Sequence, residues 1–112
     1  MDAMLLPEPQ ATKARLEQHV KLFDSRDKIL QLGVVAFRKK ILSEPRRKDQ
    51  VAKFIKAYNI AVDSINSRGV QHYARIITKY TGADAKTISN LPKLKYEHAM
   101  EPRRRDLAVA QK

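Results

Sequence analysis

The sequence predicts an α/β fold, rich in helix, with a few strands covered by amphipathic helices. Three observations carry that expectation. Val20-Lys21-Leu22-Phe23 alternates apolar and polar with period two, and Gly33 to Phe37 is a short continuous apolar run; both are strand patterns. Val51, Phe54, Ile55, Tyr58, Val62 and Ile65 recur at spacings of three and four, which is the pattern of a helix with one apolar face. A chain of 112 residues, 43% hydrophobic, with three Gly and five Pro, suits one ordered domain with a modest core.

Taken in order, the apolar run DAMLL reads as a strand end stopped by the turn Pro7-Glu8-Pro9. Ala11 to Gln18 is rich in good helix formers and predicts a short helix. The strand Val20 to Phe23 follows, then a polar loop Asp24-Ser25-Arg26-Asp27, then a mostly apolar stretch from Ile29 to Phe37 with Gly33 to Phe37 as a buried strand. Pro45 has the fixed φ favoured at a first helical position, so a long helix starts there with Ser43 or Glu44 as its cap. Gly69 is placed to end it in a left-handed conformation.

Val70, Tyr73, Ala74, Ile77 and Tyr80 predict a second amphipathic helix closed by Thr81-Gly82. Asp84 caps a short helix through Ile88 and Leu91 that Pro92 stops, and Lys93 to Met100 reads as extended. A last helix opens with Pro102 at its first position and is still running at Lys112, which suggests a fragment.

The formal charge is +11, and it is unevenly placed. Residues 1–44 carry eight basic and six acidic side chains, residues 45–81 eight and two, and residues 82–112 seven and four. A basic surface collects polyanions, so the runs Lys39-Lys40, Arg46-Arg47-Lys48 and Arg103-Arg104-Arg105 raise nucleic acid as a partner. Against it, the aromatic residues sit on the apolar stripes instead of between the basic groups. Arg46, Lys53 and Lys56 lie opposite the stripe of the long helix, where charge is a solvated face; Ile60 sits on that side too.

Several chemistries are excluded. Without cysteine there is no disulfide and no thiolate metal site. His19, His72 and His98 are isolated and lack metal-ligand spacing. No phosphate-binding glycine loop, dinucleotide turn or nucleophile elbow is present, and no carboxylate pair stands out, so neither an enzyme nor a cofactor is expected. No apolar run reaches the ~20 residues of a membrane span, and MDAMLLPEPQ lacks the features of a secretory signal.

Four stretches in this order resemble the carboxyl-terminal part of a periplasmic solute-binding protein of an ABC importer, of the type II fold group that includes binders of sulfonates, nitrate and thiamine precursors. They are 2-DAMLLPEPQATKAR-15, 33-GVVAFRKKILSEP-45, 51-VAKFIKAYNIAVDSIN-66 and 91-LPKLKYEHAMEPRRRDLAVAQK-112. The resemblance implies that residues 1–28 are the end of lobe two and the hinge return, and that residues 29–112 are the carboxyl-terminal part of lobe one. Much of a two-lobed receptor is then missing from this chain.

It further implies a periplasmic or extracellular, peripherally membrane-associated receptor that closes its lobes over a small solute and delivers it to a permease. Glu8 and Gln10, at a cleft-side turn, are the implied ligand-binding residues: a carboxylate that accepts and an amide that donates or accepts. Alone, such a piece exposes apolar surface and self-associates. The competing expectations are a small basic nucleic-acid-binding protein and a helical interaction protein, a bundle without a sheet.

Overall fold

In the computed structural model, which describes residues 3–24 and 33–111, the organising element is one long helix. Helices α1 to α6 are Gln10–Leu16, Lys39–Ser43, Pro45–Arg68, Ala74–Thr81, Ala85–Ser89 and Arg104–Ala110, with a 3-10 turn Val70–Tyr73 ahead of α4. Of the described residues 59% are helical and none is in a strand.

The α/β expectation is therefore corrected to an all-helical one. The segments that carry strand patterns run without secondary structure through residues 19–24 and 33–38, and no ladder forms between them. A strand is stable only when its edges find partners and its faces find cover. Val34 and Val35, expected inside, are 65% and 64% exposed. The other residues of the two runs, Ile29 to Leu32, lie outside the described residues, as do Asp2 and loop residues Ser25 to Asp27.

The helix boundaries follow local chemistry. Pro45 is the first residue of α3, and the carbonyl of Glu44 receives the N–H of Lys48 at 2.8 Å, opening the helical ladder. Gly69 ends α3 at φ 85°, a backbone that a side chain would strain. Gly82 ends α4 in the left-handed region, its N–H donating to the Thr78 carbonyl at 2.9 Å. The last helix is shorter than the sequence suggests. It starts at Arg104, after Pro102 and its cap residue Arg103, and ends at Ala110; Lys112 lies outside the described residues.

The chain divides into two compact units, Met1–Leu22 with Val62–Tyr96, and Phe23–Ala61 with Glu97–Lys112. In the first, α5 packs against α1, α4 and the 3-10 turn, which makes it the hub. Ile88 and Thr87 of α5 and Thr12 of α1 are each 2% exposed, and Val62 is also buried. Asp84 fixes the start of α5: its Oδ1 accepts the Thr87 N–H at 2.7 Å. That bond, and a second from the Thr87 side chain, hold the Asp84 carboxyl below its usual range.

In the second unit Phe37 meets Phe54 edge-on, centroids 5.9 Å apart. Phe54 is still 49% exposed and Tyr58 40%, although the stripe of α3 predicted both as buried. With no sheet beneath α3, one ring contact covers only part of that face. Asp106 of α6 is buried and takes Arg103 Nε at 2.7 Å. Among the described residues the buried hydrophobic side chains are Val62 and Ile88 alone, whereas eighteen large apolar ones are exposed.

Candidate functional site

The turn proposed for ligand contact, Pro7-Glu8-Pro9, feeds directly into α1. The backbone N–H groups of Ala11 and Lys13 donate to the carbonyls of Pro7 and Pro9 at 2.9 and 3.1 Å. Glu8 reaches forward from the turn, and its Oε2 accepts the Thr12 N–H at 3.1 Å. The carboxylate thus satisfies one of the donors that every helix start leaves unpaired, and its charge complements the positive end of the helix. Gln10 is the first residue of α1 and is exposed.

Two concave surfaces of the same unit lie elsewhere. A cavity of about 220 Å³ forms where α3 ends, walled by Ile65, Asn66, Arg68, Gly69, Gln71 and Lys93 among others. A neighbouring recess shares Asn66, Lys93 and Leu94 with it and adds Lys95. Glu8 and Gln10 line neither.

Asparagine and glutamine side chains hold these walls together. Asn66 clasps Tyr96 at both polar atoms of its backbone: Nδ2 donates to the Tyr96 carbonyl at 2.8 Å and Oδ1 accepts the Tyr96 N–H at 3.0 Å. Gln71 Nε2 donates to the Leu91 carbonyl at 3.4 Å, and Arg15 Nη2 reaches the Asn90 carbonyl at 3.3 Å. The two Asn66 bonds stand in for the ladder that the extended segment after Pro92 lacks. In the other unit Asn59 Oδ1 accepts the Ala99 N–H at 2.8 Å.

Reactive chemistry is sparse. His72 stands edge-on to Tyr73 with centroids 4.9 Å apart, and its Nε2 lies 3.4 Å from Arg68 Nη1. No three His, Asp or Glu among the described residues group to hold a metal ion. Arg68 and Lys93 make the cavity at the end of α3 electropositive, an arrangement suited to holding charge and without a nucleophile and base in contact.

The basic groups that raised nucleic acid divide into paired and unpaired. Arg47 Nε meets Glu44 Oε2 at 2.9 Å, Lys53 Nζ meets Asp49 Oδ2 at 2.7 Å, and Arg105 lies 3.4 Å from Asp106. Asp49 keeps the Lys53 ammonium above its usual pKa. No helix among the described residues is long and apolar enough to cross a membrane.

No protein-family model matches the chain, and neither a curated protein nor a solved structure matches it.

Proposed function

We propose that the chain works as part of a larger assembly, the solute-capturing receptor of an ABC importer, and not as a self-sufficient domain. The observation that carries the need for more polypeptide is the apolar imbalance: two buried hydrophobic side chains against eighteen large exposed ones among the described residues. Burial of one such side chain contributes roughly 1.5–3 kcal/mol, so two of them leave little to oppose chain entropy. The four stretches that resemble the solute-receptor family suggest the identity of the assembly; the sheet of such a receptor would have to form with the added polypeptide, since no strand forms among the described residues.

Within this reading the partners are a small-molecule solute and the membrane permease, and the setting is the periplasm or the outer cell surface. Glu8 and Gln10 are the solute contacts: the second carboxylate oxygen of Glu8 accepts, and the Gln10 amide donates or accepts. The experiment is the gene's own locus. Permease and ATPase genes beside it, with coding sequence for further receptor, support the reading; a locus with none of these removes it.

One observation favours a second reading. The absence of strand among the described residues, with the α3 stripe half exposed, suits a helical interaction protein whose stripe is covered by a partner helix. Sedimentation of the purified chain separates the two: a discrete, reversible oligomer supports the helical module, and open-ended aggregation supports the incomplete receptor.

A further inference from the structure

Neither the packing nor the receptor reading accounts for the basic excess. From Arg38 to Lys56 eight side chains are basic and two acidic, all within one unit. Both acids are engaged, Glu44 by Arg47 and Asp49 by Lys53. Arg38, Lys39, Lys40, Arg46, Lys48 and Lys56 have no acidic partner among the described residues. On the continuous helix α3, a turn of 100° per residue sets Arg46, Lys53 and Lys56, together with Lys53's partner Asp49, within an arc of roughly 80°, opposite the apolar stripe; the arc keeps a net positive charge. All three are exposed, and so is Ile60 inside the same arc.

We propose that this face of α3 docks on an anionic lipid surface. The charge complementarity is direct, since several Lys and Arg on one helix face match a layer of anionic headgroups. Exposed Ile60 adds an apolar side chain among the cations, which suits the headgroup boundary. A single-stranded nucleic acid fits less well, because it needs stacking aromatics and the arc has none; Phe54 leans on Phe37, and Tyr58 is on the opposite stripe. A second copy of this chain is disfavoured by the repulsion of two +11 molecules. With no helix fit to cross the bilayer among the described residues, the contact is peripheral. The inference stands on charge placement and does not rest on the receptor reading.

The test is co-sedimentation of the whole chain with phosphatidylcholine vesicles and with vesicles containing about a third phosphatidylglycerol. Each cation near such a surface contributes about a fivefold factor, so R46Q/K53Q/K56Q should weaken binding about a hundredfold. R75Q/K79Q/K86Q removes the same net charge from exposed positions of the other unit and should weaken it less than about threefold. Wild-type binding should require the anionic lipid and weaken steeply as salt rises. All six side chains are exposed, so circular dichroism should show both variants folded like the parent. Equal losses in the two variants would reduce the effect to bulk charge and overturn the proposal. So would binding to both vesicle types alike, or tighter binding to a DNA oligomer than to the vesicles at the same salt.

Discussion

Thr12 and Thr87 make a paired test of how the first unit is held together. Both are 2% exposed, and both lie in the packing between α1 and α5. Their hydroxyls differ. The Thr87 hydroxyl helps hold the neighbouring Asp84 carboxyl below its usual range, whereas Thr12 Oγ1 has no hydrogen-bond partner among the described residues. A buried, unsatisfied hydroxyl costs about 1–3 kcal/mol, and Val matches the shape of Thr without it. Helix propensities of Thr and Val are close, and the Thr12 N–H bond to Glu8 survives the change. Thr12→Val should therefore raise stability by about 1–2 kcal/mol, while Thr87→Val loses the hydroxyl's interaction with Asp84 and should lower stability. Urea unfolding followed by circular dichroism measures both. Opposite signs are the expected result; Thr12→Val that destabilises would mean the hydroxyl is satisfied, by water or by residues outside those described, and would refute the reasoning.

Other changes probe separate contacts. Ile88→Ala removes the most buried apolar side chain and should cost about 2–4 kcal/mol, enough with so small a core to abolish cooperative unfolding of its unit in a thermal scan. Asp106→Ala leaves Arg103 without its buried partner and should cost about 1–3 kcal/mol by urea unfolding. Asn66→Ala should speed hydrogen exchange at the Tyr96 amide, and Asn59→Ala at the Ala99 amide, each without effect on the other. Asp84 has a depressed folded pKa, so its share of stability is present above the unfolded value near 3.8 and is lost as pH falls through the folded value. Asp84→Asn should flatten that acid limb, read as the urea midpoint between about pH 5 and pH 2.

What the sequence made legible was local. Pro45 and Gly69 bracket α3 because a fixed φ and a positive φ are properties of single residues. Asp84 and Gly82 mark their helix ends for the same reason. Strand patterns are different, since period two says which face a strand would bury and nothing of whether a second strand is there to pair with it. Val20 to Phe23 and Gly33 to Phe37 carry the pattern and form no ladder among the described residues, and Val20, Leu22, Phe23, Val34 and Val35 stand exposed as a result. Phe54 and Tyr58 follow from the same cause: their spacing was read correctly as a helix stripe, and the surface meant to cover it is missing.

The candidate site was less legible, because its geometry depends on unremarkable polar residues. Glu8 announced itself through the two prolines beside it, yet in the fold its carboxylate is occupied at Thr12, the same backbone N–H that any helix start must satisfy. The cavity at the end of α3 depends instead on Asn66 and Gln71, which hold residues 91 to 96 in place by bonding their backbone. Asn59 and Asn66 are seven residues apart and so lie near one another on the wheel of α3. That spacing was visible in the sequence, as two amides on one side of a helix otherwise striped with apolar residues. Its meaning required knowing that an unpaired extended segment follows later in the chain and needs acceptors and donors. A chain short of strand partners therefore takes backbone hydrogen bonds from side chains, and asparagine, with one donor and one acceptor group at its tip, is the residue able to make the two-bond clasp seen at Tyr96.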